Sequence, residues 1–98
     1  MNIKIQDLTG AALDWAVNQI EECCDDPNAP PFSTNWAQGG PIIERERIEI
    51  EWTGEDWMGT MRHDEEFFGP TPLIAAMRCY VASQLGDEVD IPDELVEV

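Results

Sequence analysis

Arg47-Ile48-Glu49-Ile50-Glu51-Trp52-Thr53-Gly54-Glu55-Asp56-Trp57-Met58-Gly59-Thr60-Met61 is the stretch that decides the fold. Ile48, Ile50 and Trp52 alternate with Arg47, Glu49 and Glu51. Side chains on a strand point to opposite faces in turn, so this stretch has one apolar and one charged face. Thr53, Gly54, Glu55 and Asp56 are turn formers, and Trp57 to Met61 reads as a returning strand. The segment therefore predicts a hairpin, with strands over 47–53 and 56–61. Its apolar face needs a cover, and its charged face is left for solvent or a partner.

The covers lie on either side. Upstream, Leu13, Ala16, Val17, Ile20 and Cys24 recur at helical spacing after Thr9-Gly10, predicting a helix over 10–24 that stops before Pro27. Downstream, Gly69-Pro70-Thr71-Pro72 is a helix start, with Thr71 as cap and Pro72 at the first helical position. That helix is predicted over 72–85, with Gly86 ending it in the left-handed conformation. Ile3 and Ile5 alternate with Asn2, Lys4 and Gln6, predicting a further strand over 2–6. The expected fold is α+β: a two-layer domain, with a short antiparallel three-stranded sheet packed against two helices in the order β-α-β-β-α. Its core is expected to contain Leu13, Val17, Ile20, Ile48, Ile50, Leu73, Met77 and Val81.

Ninety-eight residues make one domain, 1–98. Residues 87–98 form an acidic tail in which Ile91-Pro92-Asp93-Glu94-Leu95 packs in part. A hydrophobic share of 43% is too high for a disordered acidic chain. Five Lys and Arg against 21 Asp and Glu leave a net charge of −16. Direct binding of nucleic acid needs clustered basic residues, so it is excluded, and a polybasic membrane anchor fails for the same reason. No apolar run spans a bilayer, and no basic and apolar leader follows Met1. These features predict a cytoplasmic protein.

Chemistry-bearing constellations are few. Cys23, Cys24 and Cys79 do not form a disulfide framework, and read as reduced small hydrophobes. His63 is the sole imidazole, beside Asp64 on a connection, which predicts neither a metal site nor a catalytic triad. No phosphate-binding glycine loop is present. The expectation is no catalytic residue, no metal, no cofactor and no enzymatic activity. Glu44, Glu46, Glu49 and Glu51 form a charged face.

Two stretches stand out as candidate sites. Ser33-Thr34-Asn35-Trp36-Ala37-Gln38-Gly39-Gly40-Pro41 closes a long loop over 25–40, and Pro41 to Glu46 reads as one helical turn. Asn35, Gln38 and Thr71 offer hydrogen bonds, Trp36 a stacking face, and Gly39 and Gly40 close backbone approach. With Pro70, these residues make the candidate ligand or partner surface if folding brings both Gly-Pro helix starts together. A second reading has Trp36 plugging the core, with Gly39-Gly40 serving a turn.

Thr9 to Val17 resembles the opening of the NinX-type proteins of lambdoid phages. Ser33 to Ile43, with its core Trp36-Ala37-Gln38-Gly39-Gly40-Pro41-Ile42-Ile43, is similar to that family's central motif, and Gly69 to Gly86 is very similar to its C-terminal helix. Asp87 to Leu95 continues the likeness, whereas residues 44–68 resemble the family least. The resemblance implies a phage origin and action in the host cytoplasm, without implying a reaction. Two functions fit. One is a binding protein whose pocket sequesters a small nucleotide-like host signal to counter defence, using Arg45, Arg47, Arg62 or Arg78. The other is an acidic DNA-mimic-type inhibitor of a host nucleic-acid-binding or defence enzyme. The partner is accordingly a small-molecule ligand or a host protein, and the open sheet edges also predict a homodimer.

Overall fold

In the computed structural model, the structure describes residues 2–21, 31–61, 66–86 and 88–92. The predicted hairpin is present: β2 (Glu49–Trp52) and β3 (Trp57–Thr60) pair antiparallel, with Glu51 opposite Met58 and Trp52 opposite Trp57. Thr53 closes the turn. Its amide donates to the Asp56 carbonyl at 2.9 Å, and its hydroxyl donates to the Asp56 carboxylate at 2.7 Å.

The third strand of this sheet is β4 (Phe67–Gly69), with Met58 opposite Phe68. The third strand expected from the sequence, residues 2–6, is not part of this sheet. Strand β1 (Asn2–Lys4) does form, but Ile5–Asp7 turn into a 3-10 helix. Its partner is β5 (Glu88–Asp90), in a separate two-stranded sheet that joins the two ends of the fold. The tail thus packs as a strand, with Val89 and Ile91 buried. Residues 93–98 lie outside the described residues.

Helix α1 (Gly10–Glu21) and helix α3 (Pro72–Leu85) occupy the predicted places. Helix α3 starts as expected: Thr71 Oγ1 accepts from the Ile74 amide at 3.1 Å, and Pro72 stands at the first position, where no N–H is needed. It ends at Gly86, whose amide donates to the Ala82 carbonyl at 3.0 Å. Gly86 has φ 91° and ψ −164°, so the left-handed helical cap is replaced by another positive-φ geometry.

Helix α3 lies across the apolar face of β2-β3-β4, and α1 packs on α3. The approach of helix to sheet is set by two glycines. A Cβ on Gly59 would stand 2.8 Å from the Ala75 carbonyl oxygen, and one on Gly69 2.8 Å from the Ala75 amide nitrogen. Leu13, Val17, Ile48, Leu73, Met77 and Val81 are buried as expected, while Ile20 and Ile50 pack half-buried at the margin. Full burial of such a side chain stabilises by roughly 1.5–3 kcal/mol.

The largest departure is helix α2 (Trp36–Glu46), where a loop and a single turn were expected. Asn35 starts it by accepting the Ala37 amide at 2.9 Å on its side-chain oxygen. Gly-Gly-Pro reads as a helix breaker, and Pro41 indeed supplies no N–H for the Ala37 carbonyl. Tertiary packing outweighs that loss. Ile42 is buried, and Gly39 lies so close to the Phe32 carbonyl and Leu73 that any side chain there would collide. Arg47 ends α2 in the left-handed region at φ 57°, passing the chain into β2.

Candidate functional site

The first candidate surface is the meeting of α2 and α3. Gly39 packs against Leu73 and so brings the first turns of both helices together, but only α3 has a Gly-Pro start, since Gly40-Pro41 lies inside α2 and Asn35 starts that helix. Their polar groups are partly committed, since the Asn35 and Thr71 side chains each accept an amide of their own helix. Trp36 is 54% exposed, so it does not plug the core, and Phe32 does so instead. Gln38 and Pro70 are exposed, Gly39 is buried, and Gly40 is half-buried against the Trp36 ring.

Two of the arginines considered for an anionic ligand, Arg45 and Arg78, are differently employed. Arg45 grips Glu21 through two parallel hydrogen bonds of 2.9 and 2.8 Å, and bonds Glu46 at 2.8 Å and Tyr80 at 3.0 Å. The Tyr80 hydroxyl donates to the same Glu21 at 2.6 Å. The paired guanidinium holds the Glu21 carboxyl below its ordinary value, and burial followed by the neighbouring carboxylate raises the Tyr80 phenol. This network ties the C-terminal ends of α1 and α2 to α3. Arg78 is buried and donates to the carbonyls of Leu8 and Phe68, and desolvation lowers its pKa. Arg47 forms the left-handed cap of α2. Arg62, like His63, Cys23 and Cys24, lies outside the described residues.

The second candidate surface is the outer face of β2-β3-β4. Pairing in the hairpin puts Glu49 beside Thr60 and Glu51 beside Met58 on one face, with Phe68 next to Met58. Ile50, Gly59, Phe67 and Gly69 belong to the opposite face, beneath α3. An open groove of about 550 Å³ runs over the outer face, lined by Glu49, Ile50, Glu51, Met58, Thr60 and Glu66. No described helix or strand packs across it. Glu44 is exposed on α2, whereas Glu46 is drawn into the Arg45 network. The expected acidic face is therefore divided, and its sheet half gains Glu66, Met58 and Thr60.

Met58 and Thr60 were within reach of the sequence, because the turn over Thr53–Asp56 fixes which residues face Glu51 and Glu49. Glu66 required β4, whose three residues carry too short a pattern.

These features define a small acidic α+β protein with an open, glutamate-lined sheet face. No described helix is long and apolar enough to cross a membrane. The chain matches the family described as Bacteriophage P22, NinX over residues 23–84, more than half of its length. It belongs to that family, and so to the proteins of phages. The matched span runs through the hairpin as well as α2 and α3, and leaves out the opening stretch Thr9 to Val17. No curated protein matches the chain at a significant level.

Proposed function

We propose that this phage protein acts by non-enzymatic binding in the host cytoplasm. Its working surface is the outer face of the three-stranded sheet, which occupies the basic nucleic-acid site of a host enzyme. The observation that carries this reading is the groove with Glu49, Glu51 and Glu66 around Met58 and Thr60, uncovered by any described element. A chain of net charge −16 steers toward basic surfaces and away from anionic ligands. Met58 gives the face an adaptable apolar contact between carboxylates.

The test is capture from host lysate on immobilised protein, comparing wild type with the combined Glu49→Gln, Glu51→Gln and Glu66→Gln variant. The expected result is a nucleic-acid-binding host protein that is retained at low ionic strength, displaced by duplex DNA, and lost with the triple variant. Capture indifferent to salt and to the triple variant would overturn the reading.

A second reading is favoured by one observation, the 54% exposure of Trp36 at the start of α2. There Trp36 stacks on a planar, nucleotide-like host signal, Gln38 and the flanking helix starts bind its polar groups, and sequestration counters host defence. The commitment of Arg45 and Arg78 to partners within the chain supports the acidic face over this alternative.

A further inference from the structure

The three-stranded sheet has two edges, and they are treated differently. In an antiparallel pair, successive residues turn their amide and carbonyl groups alternately toward and away from the partner strand. The Thr53 amide bonds to the Asp56 carbonyl, so Thr53 and Asp56 face each other as a bonded pair. Counting back in twos, Glu51 with Met58 and Glu49 with Thr60 are also bonded pairs. Ile50 and Trp52 therefore turn their N–H and C=O groups outward. Counting across β3, Phe68 turns its own groups outward from β4. That edge is closed, because Gln6 bonds both the amide and the carbonyl of Phe68 and Arg78 bonds the carbonyl again. Among the described residues the β2 edge has no such cover, and no strand pairs with it.

We infer that the β2 edge accepts an extended basic segment of a partner protein as a fourth strand of the sheet, antiparallel to β2 as every other strand pair of the fold is. This rests on the acidic-face reading above and adds the manner of binding. Backbone pairing with an exposed edge is a general mode of peptide recognition, in which hydrogen bonds give affinity and alternate side chains give specificity. Here the specificity is legible. Residues of the added strand opposite Ile50 and Trp52 lie on the inner face, beside Ile50 and the half-exposed Trp52. Residues opposite Glu49 and Glu51 lie on the outer face, against the two carboxylates. The fitting segment alternates lysine or arginine with apolar residues.

A second copy of this chain fits less well. Whether Ile50 or Glu51 stands on the two-fold axis of an antiparallel β2–β2 pair, glutamate meets glutamate. Like charges directly opposite one another are destabilising.

The test uses a nine-residue peptide of alternating lysine and valine with the full-length protein. Two further peptides of equal charge carry N-methyl groups, one on its valine amides and one on its lysine amides. The valine amides point at β2, whereas the lysine amides point to solvent. The parent and N-methyl-lysine peptides are expected to bind alike. The N-methyl-valine peptide is expected to bind at least tenfold more weakly. Parent binding should slow hydrogen exchange at the Ile50 and Trp52 amides at least tenfold. Equal binding of all three peptides, with loss on Glu49→Gln plus Glu51→Gln, would leave the acidic face standing and sink the fourth strand. Binding unaffected by that double variant would sink both. No binding of the parent, or a sedimentation profile in which the protein pairs with itself through β2, also overturns the inference.

Discussion

Gln6 takes the place of a neighbouring strand along the outer edge of β4: its side-chain amide donates to the Phe68 carbonyl at 2.7 Å and accepts from the Phe68 amide at 3.2 Å. One side chain thereby satisfies both backbone groups of a strand residue. Replacing Gln6 with Ala is expected to cost about 0.5–1.5 kcal/mol, the net worth of ordinary hydrogen bonds in a partly exposed setting. For a chain of this size that is a fall of roughly 4–8 °C in melting temperature for each kcal/mol. An unchanged melting temperature would show that water replaces the glutamine without loss.

Arg78 reinforces the same edge from within. It is buried and satisfied by two carbonyls, those of Leu8 and Phe68. Arg78→Ala takes the side-chain donor from the Leu8 carbonyl, leaves the Phe68 carbonyl to Gln6 alone, and opens a cavity. The expected loss is about 3–5 kcal/mol, much of the stability of a small fold. Arg78→Lys keeps a charge but loses the two-point geometry, and should recover only part of the loss. Urea unfolding of the two variants checks the order.

Gly59 and Gly69 fix how closely α3 approaches the sheet. A methyl at either position meets backbone atoms of Ala75 at 2.8 Å, and backbone yields less readily than a flexible side chain. Gly59→Ala and Gly69→Ala are each expected to destabilise by roughly 1–3 kcal/mol. This opposes the usual gain from replacing glycine, which comes from a stiffer unfolded chain. Thermal unfolding distinguishes the two directions by sign alone.

Acid should act on two carboxyls in opposite senses. Arg45 holds Glu21 below its ordinary 4.5, so this pair contributes stability above that pH and loses it as pH falls through the folded value. Asp14 is raised above 3.8 by burial, although it accepts the Ser33 amide at 2.8 Å. Its ionised form is penalised in the fold, and the penalty is relieved as pH drops through its folded value. Glu21→Gln is expected to cost about 0.5–1 kcal/mol at neutral pH, modest because Arg45 is half exposed, and nothing in strong acid. Asp14→Asn keeps an acceptor oxygen and should be neutral or stabilising at neutral pH, with that advantage gone in acid. Unfolding free energies across the acid range read both slopes.

Long, strongly patterned elements were legible in the sequence: the 49–60 hairpin by its alternation and turn, α1 by its apolar stripe, α3 by Thr71 and Pro72. Shorter elements were legible only in part. The alternation of Ile3 and Ile5 revealed the strand at 2–4 but not its partner at 88–90, and the strands 67–69 and 88–90 have three residues each, too few for a period. Helix α2 was hidden for another reason. Gly39-Gly40-Pro41 has poor helical propensity, and the helix exists because Gly39 fits against Phe32 and Leu73. The candidate surface at Asn35–Gly40 was found in sequence as a loop and is present as a helix start. The acidic face was expected from Glu44, Glu46, Glu49 and Glu51, and the structure keeps Glu49 and Glu51 together on β2, leaves the other two on α2, and adds Glu66.

The two candidate surfaces separate on one residue. Trp36 is exposed at the first position of α2, and its ring lies over Gly40, where a Cβ would meet it at 3.6 Å, without entering the core. Trp36→Ser is therefore expected to change stability by less than about 1 kcal/mol, as surface substitutions generally do. Asn35 is unsuited to this purpose, because it caps the helix and its loss alone costs about 1 kcal/mol. If the acidic face carries the function, a phage bearing Trp36→Ser grows on its host as the parent does, while one bearing Glu49→Gln with Glu51→Gln is impaired. If a planar ligand is sequestered at α2, the outcomes exchange, since stacking on an indole is worth roughly 1–3 kcal/mol where the ligand is a base. Melting temperatures measured on both purified variants ensure that a growth defect reports a lost surface rather than a lost fold.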